Sequence, residues 1–352
     1  LAKDQVLRGI VVKRFLIAAI MFLGIGIIGY QQEVAASEFN FSVHFDLPEN
    51  QVDKNKTYLD LLVKPEQKQE ITYTLRNDTQ KDVLVDISVH SATTNSNGVI
   101  EYGESLSKKD ETLSYDLADL LTIDKQVKVP ANSSVQKKLV IQTPAEQVAG
   151  IIAGGITFKE RTTETPKAQQ DKVGVVNVFS QVKAVLLQMS EEKVTPELNL
   201  IKAGPKQSNV RNIIAVNLQN TQAAYMFDMA AAVKIYKSNE KEPVLSLNKE
   251  GINMAPNTNF DLPVALKGQA LEAGKYRVEV DARWQEKQWH LQSEFTVSKQ
   301  EATSLNDTDI DRAAMQTSPN YWMWGTIGLT ILILIILGMF IYKKISSNRG
   351  EK

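Results

Sequence analysis

The sequence predicts an all-β chain of two tandem immunoglobulin-like β-sandwich domains, with an N-terminal signal peptide before them and a single C-terminal transmembrane helix after them. Three observations carry that expectation. Apolar and polar residues alternate with period two through most of the interior, as half-buried strands require. The 352 residues include no cysteine, so each domain is held by its apolar core alone. Each end carries an apolar run of the kind that directs or anchors a chain at a membrane.

Lys3, Arg8, Lys13 and Arg14 precede the apolar run Phe15 to Ile28, and the small residues Val34, Ala35 and Ala36 follow it. This layout reads as a secretory signal over 1–36, cleaved after Ala36. The first sandwich is expected over 37–189. Phe39, Phe41, Val43 and Phe45 alternate with Asn40, Ser42 and His44; Ile71, Tyr73 and Leu75 alternate with Thr72 and Thr74; Val83, Val85, Ile87 and Val89 recur across 81–90. Asn97-Gly98 supplies a turn that tolerates positive φ, and Val99 to Tyr102 starts the next strand. Asp116 to Leu121 reads as one helical turn, and strands resume at 127–129, 135–143 and 150–158. From Lys159 to Lys172, Thr, Glu, Pro, Gln and Lys replace the β-branched residues, which marks a hairpin loop or a linker; 173–188 then pairs back with 150–158 and sets the boundary near Ser190.

The second sandwich, 190–298, is expected to place strands at 211–219, 226–236, 244–247, 260–266, 275–284 and 288–297. Tyr276, Val278, Val280, Ala282 and Trp284 oppose Arg277, Glu279, Asp281 and Arg283, one face for a core and one for water. The polar, acidic run after it has no apolar periodicity and reads as a stalk over 299–318, which fully extended reaches at most about 75 Å. Trp322 to Tyr342 is apolar apart from two threonines, so a helix over 319–342 is expected to cross the bilayer. Trp322, Trp324 and Tyr342 then sit at its interfaces, and Lys343 and Lys344 hold the 343–352 tail in the cytoplasm. The expected location is the cell membrane, single-pass, with both domains outside.

Charge and composition narrow the function. Without the signal and tail the chain carries 32 basic against 38 acidic residues, a net charge of about −6. That speaks against nucleic acid as a partner, since phosphate chains are held largely by Lys and Arg. Exported eukaryotic domains usually carry disulfides, so a cysteine-free exported chain points to a bacterium. The three histidines, His44, His90 and His290, accompany no Gly-x-Ser-x-Gly, and Ser-x-x-Lys pairs such as Ser105/Lys108 recur six times without a Lys-Thr-Gly. No catalytic constellation stands out, and no cofactor is expected. Asp307, Asp309 and Asp311 mimic half a calcium loop, but Arg312 stands where the turn needs glycine. Gly150, Gly154 and Gly155 lack the Lys-Ser/Thr of a phosphate loop, and the small residues inside 151–158 are expected to permit close sheet packing or a bulge.

Several short motifs, in order, carry a family resemblance. Pro48-Glu49-Asn50-Gln51, Tyr58-Leu59-Asp60-Leu61, Thr74-Leu75-Arg76-Asn77, Asn97-Gly98-Val99-Ile100 and Ala153-Gly154-Gly155-Ile156 resemble the peptidoglycan-binding domain of the WxL-interacting proteins of low-GC Gram-positive bacteria. Arg211-Asn212-Ile213-Ile214, Asn217-Leu218-Gln219-Asn220, the 254–260 run and Leu271-Glu272-Ala273-Gly274-Lys275-Tyr276 resemble that family's C-terminal, host-binding domain. The resemblance covers nearly all of the chain. It implies a membrane-anchored, non-catalytic surface scaffold that binds peptidoglycan and works with WxL-domain proteins. Two alternatives stand beside it: an adhesin whose second domain grips host extracellular-matrix protein, and a wall-modifying enzyme. Trp289-His290-Leu291 spells Trp-x-Leu, but one copy inside a strand reads as a core pair.

A glycan ligand calls for exposed aromatics beside amides, which makes Asn50, Gln51 and Tyr102 candidate contacts in the first domain. The competing reading is that Tyr102 ends a strand and Asn50-Gln51 form a turn. Tyr276, Trp284 and Trp289 are the candidate partner surface of the second domain, with core packing as the competing reading.

Overall fold

The computed structural model describes residues 39–105, 108–161, 178–238, 240–315 and 321–347. The signal over 1–36, with its cleavage after Ala36, lies outside the described residues, as does most of the 159–172 connection. The chain is mostly β, as expected. Both sandwiches fall within one compact unit.

In the first sandwich one sheet is ordered β1 (Ser42–Phe45), β3 (Lys68–Asn77), β9 (Ser133–Gln142), β7 (Leu121–Thr122). The facing sheet is ordered β2 (Leu59–Leu62), β11 (Ser180–Gln188), β10 (Ile151–Glu160), β4 (Val83–Ser91), β8 (Gln126–Val129). Every pairing is antiparallel except that of β2 with β11. The period-two pattern delivers Ile71, Tyr73 and Leu75 of β3 to one core with Val83, Val85 and Ile87 of β4. At its centre the rings of Phe45, Tyr73 and Phe158 meet at tilted or edge-on angles with centroids 5.8–6.3 Å apart, the arrangement aromatic quadrupoles favour. A small hairpin, β5 (Thr93–Thr94) and β6 (Ile100–Glu101), turns at Asn97-Gly98, and α1 (Leu117–Leu120) is the expected helical turn, capped by the Asp116 carboxylate. Antiparallel pairing of Ile151–Lys159 with Ser180–Gln188 returns the chain to the first sandwich after the 159–172 connection.

The second sandwich packs β12 (Leu198–Ser208), β13 (Arg211–Asn220) and β16 (Thr258–Ala265) against β15 (Leu245–Met254), β14 (Met226–Lys237), β17 (Gly274–Trp284) and β18 (Lys287–Val297). Val216, Met226, Val233, Ile252, Val278 and Val280 are wholly buried between the two sheets. Two buried asparagines end the central strands in the same way. Asn77 donates to the carbonyls of Lys81, Val129 and Pro130 and accepts from Thr79, while Asn220 donates to Ala224 and Ala255. Each closes a turn whose backbone carbonyls would otherwise be buried without partners.

The extended stalk expected over 299–318 is not what the structure holds. Lys299–Thr308 is a helix, α2, and Ile310–Met315 a second, α3. The first is docked on the second sandwich: Ala302 is buried, Asn306 exchanges hydrogen bonds with the backbone of Leu271 at 2.8 and 2.9 Å, and Gln207 donates to Leu305 O and Thr308 Oγ1. Arg211 pairs with Asp311 at 2.9 Å. Only Ala302 and Leu305 give this helix apolar contact with the second core, and the rest of the docking is polar, so no apolar stripe announced it. The legible signal was the capping box Ser298-x-x-Glu301, where Ser298 Oγ accepts from the Glu301 amide.

The last helix, α4, runs Tyr321–Ser347. Among the described residues no helix is long and apolar enough to cross a membrane; in α4 the side chains are described only from Gly325 to Met339, where all are exposed. The expected anchors Trp322, Trp324, Tyr342, Lys343 and Lys344 have side chains outside that stretch.

Tyr73 is fully buried, burial raises its phenol pKa, and its hydroxyl has no hydrogen-bond partner among the described residues. Tyr73→Phe is therefore expected to leave the thermal midpoint unchanged or raise it, by up to about 1 kcal/mol in stability. A loss of that size instead, measured by denaturant unfolding, would reveal a partner for the hydroxyl.

Candidate functional site

The two sandwiches meet along a polar seam. Asp110, in the loop after β6, is 7% exposed. Its carboxylate accepts from Gln219 Nε2 at 2.9 and 3.1 Å, from Asn259 Nδ2, and from the backbone and hydroxyl of Thr112. Burial alone raises the Asp110 pKa; the hydrogen bonds from Thr112, Asn259 and Gln219 outweigh it and leave the group below its ordinary value. Nearby, Thr94 Oγ1 lies 2.7 Å from Thr258 Oγ1 and accepts from the Ala255 amide, and the β5–β6 turn offers Gly98 O to Asn253 N. Gly150 has φ +88°, and a Cβ there would stand 2.2 Å from Ala223 O, whose carbonyl accepts from Ile151 N at 2.8 Å. At Gly155 an added Cβ would meet Tyr102 O at 2.6 Å. These glycines permit close packing, as the sequence implied for Gly155.

Beside the seam, the first sandwich opens a cleft of about 600 Å³ lined by Tyr58, Tyr102, Glu101, Glu104, Lys183 and Leu186, among others. Tyr102 stands between cleft and seam, its hydroxyl donating to that of Tyr225 in the second sandwich at 3.1 Å. Burial raises the pKa of both phenols, that of Tyr225 well above its ordinary value, so each remains a protonated donor. Glu101 accepts from Asn95 Nδ2 at 2.7 Å, which fixes one acid at the rim. The cleft thus offers two half-buried rings with both charge signs around them, suited to a sugar carrying carboxylate and amine substituents. A second cavity of about 220 Å³ lies on the seam, lined by His90, Ser105, Lys108, Asp110, Asp116 and Asn259 among others. Among the described residues no acidic and histidine cluster could hold a metal ion.

Of the six sequence-predicted contacts, the structure brings only Tyr102 to this cleft. Gln51 is buried and spends its amide on Asp53 O, Tyr58 O and Asp60 N, so it holds the loop that carries Tyr58. Asn50 is tied to Leu62 O and to Gln69 in the turn that the competing reading described. Tyr276 belongs to the second core, stacked on Phe295 at 5.2 Å and 9°. Trp284 and Trp289 are half-buried against that core, bound through their indole N–H groups to Phe227 O and Glu197. Lys287 also pairs with Glu197, and the hydrogen bonds from Lys287 and then Trp289 lower the Glu197 pKa. Missed from sequence were Tyr58, Glu101, Glu104 and Lys183. Tyr58 opens one of the motifs that carry the resemblance, and that was its available signal.

Residues 41–160 match the family model described as WxL Interacting Protein, peptidoglycan binding domain, and residues 170–307 match the one described as WxL Interacting Protein, host binding domain. No curated protein matches the chain in sequence. Among solved structures it is similar to the CupB2 chaperone of Pseudomonas aeruginosa, at 13% identity over 67% of this chain and 97% of that one, with a TM-score of 0.26. The YadV chaperone (10% identity, 74% and 100% covered, TM-score 0.29) and the E. coli chaperone DraB (15%, 73% and 98%, 0.27) are similar to a like degree. At these scores the likenesses carry no argument.

The seam yields three expectations. Asp110→Ala strands the donors of Gln219 and Asn259, and is expected to cost on the order of 3 kcal/mol in unfolding free energy. Because its native pKa is lowered, Asp110 contributes stability above the ordinary carboxylate range that is lost as pH falls through the native value. A thermal-unfolding profile against pH should therefore be flatter on the acid side for Asp110→Asn than for the parent; equal slopes would remove Asp110 from the seam. Gly150→Ala, strained in φ and blocked by Ala223 O, is expected to cost more than 2 kcal/mol and to raise proteolysis at the junction, whereas a silent substitution would contradict the close approach.

Proposed function

We propose, because this chain belongs to the WxL-interacting protein family, that it is a non-catalytic scaffold of the bacterial cell surface whose first sandwich holds peptidoglycan in the Tyr58–Tyr102 cleft. The observation that carries this reading is the cleft itself. Pyranose C–H faces are weakly positive and stack on the negative faces of aromatic rings. Muramyl lactyl groups and stem peptides bring carboxylates and amines, which Lys183 and the pair Glu101 and Glu104 complement in sign. The net charge of about −6 over the exported part disfavours anionic polymers and is compatible with this mixed-charge ligand.

The second sandwich, in this reading, serves protein partners carrying WxL domains. Its half-buried indoles and the Glu197–Lys287 pair offer an aromatic surface with a charged rim, the usual anatomy of a protein-binding patch. A second reading, binding of a host matrix protein, is favoured by the description of the model that matches 170–307. Tyr321–Ser347 would act as the membrane anchor. The support is the sequence, which reaches beyond the described side chains: Trp322 to Tyr342 contains no charged residue and, taken as helix throughout, would cover about 31 Å, the hydrocarbon thickness of a bilayer, with Lys343 and Lys344 on the cytoplasmic side.

Pull-down of the detergent-solubilised full chain with purified sacculi, with a WxL-domain protein and with matrix protein separates these partners. Tyr102→Ala and Lys183→Ala are each expected to weaken binding to sacculi by about tenfold or more while leaving WxL-protein capture intact. Undiminished sacculus binding by both variants would move the peptidoglycan site away from the cleft. Capture of matrix protein without WxL protein would give the second domain to the host.

A further inference from the structure

One aromatic side chain of the second sandwich is held out in water by its backbone. In β14 the register shifts between Met226 and Met229, and Asp228 takes φ +59°. This bulge keeps Met226 and Met229 wholly buried while turning Phe227 outward, to 56% exposure. Leaving a phenylalanine so exposed forgoes part of the stabilisation that its burial would bring. Three contacts nonetheless fix it. Trp284 Nε1 donates to Phe227 O at 2.9 Å, Asp228 N donates to Asn253 Oδ1 at 2.9 Å, and the Phe227 ring stacks on Tyr225 with centroids 5.2 Å apart and planes 15° from parallel. Tyr225 is the residue whose hydroxyl bonds Tyr102 at the cleft.

Tyr58 and Tyr102 line the cleft, the Tyr102 hydroxyl bonds that of Tyr225 across the seam, and Tyr225 stacks on Phe227, so the four aromatic side chains follow one another from cleft to platform. We infer that this run is an extended subsite for the same glycan: a linear strand seated on Tyr102 in the first sandwich continues over the junction and stacks a further sugar on Phe227 of the second. The inference rests on the cleft being a peptidoglycan site. It assigns polysaccharide contact to a domain whose sequence match speaks of another ligand, and it explains why the junction is tied by buried hydrogen bonds at Asp110 and Thr94. A track shared by two domains holds a stiff polymer only if the domains keep one relative orientation. A glycan strand suits the site because the platform is open, lies in continuity with the cleft, and presents flat apolar rings without a cluster of charge.

The test compares polymer with single unit. The full chain in detergent is titrated with purified sacculi and, separately, with a monomeric disaccharide-peptide released from them. Phe227→Ala is expected to weaken binding to sacculi by fivefold or more and to leave binding of the single unit unchanged. Phe227→Trp, which keeps a ring on the platform, should restore it. Tyr102→Ala should weaken both. If Phe227→Ala leaves sacculus binding unchanged while Tyr102→Ala abolishes it, the extended track is wrong and the cleft reading stands. If neither variant affects either probe, the cleft reading fails and takes the track with it. Loss of WxL-protein capture by Phe227→Ala, with sacculus binding intact, would overturn the inference in favour of a protein contact. Phe227 is largely exposed, so an unchanged thermal midpoint is expected to rule out unfolding as the cause.

Discussion

The arrangement of the whole molecule depends on a buried carboxylate. Asp110 belongs to the first sandwich, but most of what satisfies it outside its own turn comes from the second, through Gln219 and Asn259. A charge with 7% exposure is tolerated only when its lone pairs are filled, so separating the sandwiches would leave an ion at a dry surface or flood it with water. The junction also carries an apolar cluster, in which Ala92, Ala153, Leu186 and Ala255 are buried with Tyr58, Ile100, Tyr102, Ile151 and Tyr225 packed against them. Apolar packing holds the two surfaces together, while the directional bonds at Asp110 and Thr94 add a preferred orientation.

The same economy shows in the motif residues. Asn77 and Asn220 lie at the ends of corresponding strands and each uses its side chain to bind the turn that follows. Leu271 receives Asn306, Arg211 receives Asp311, and Gln51 organises the loop before Tyr58. Many of the positions that make the chain resemble its family are structural fasteners. Surface chemistry sits next to them, on residues those fasteners orient, which is why the motifs located the family more easily than the ligand contacts.

Alternation gave β17 nearly to the residue, because one of its faces is dry, and the apolar runs from Arg211 and Met226 gave β13 and β14. β15 was read only over its first residues, as 244–247, and the short β2 was not read as a strand. No strand was expected at β12; Gly204 and Pro205 interrupt its pattern, and it lies at a sheet edge, where the missing N–H of Pro205 is harmless. The docked helix α2 escaped because only Ala302 and Leu305 join it to the core and its other contacts are amides, hydroxyls and carbonyls, which hydrophobic periodicity does not register. At the site, Tyr102 was visible as an aromatic closing a strand, whereas Lys183 looks like any solvated residue on alternating β11 and enters the cleft only through the pairing of β11 with β10. Tyr276 illustrates the converse, since an aromatic placed on an inward face belongs to the core however inviting it looks as a binder.

The docked helix also changes how the molecule would carry load. Only residues 316–320 separate α3 from α4, and such a segment spans at most about 20 Å. Were α4 to hold the bilayer as proposed, a pull between membrane and cell wall would meet almost no slack at this segment. Such a pull would fall first on the side-chain contacts that hold α2 and α3 to the second sandwich, at Gln207, Arg211 and Leu271. Rupture of the Asn306–Leu271 and Arg211–Asp311 contacts would then let out the 299–315 segment as new contour length, so the contacts would act as a fuse.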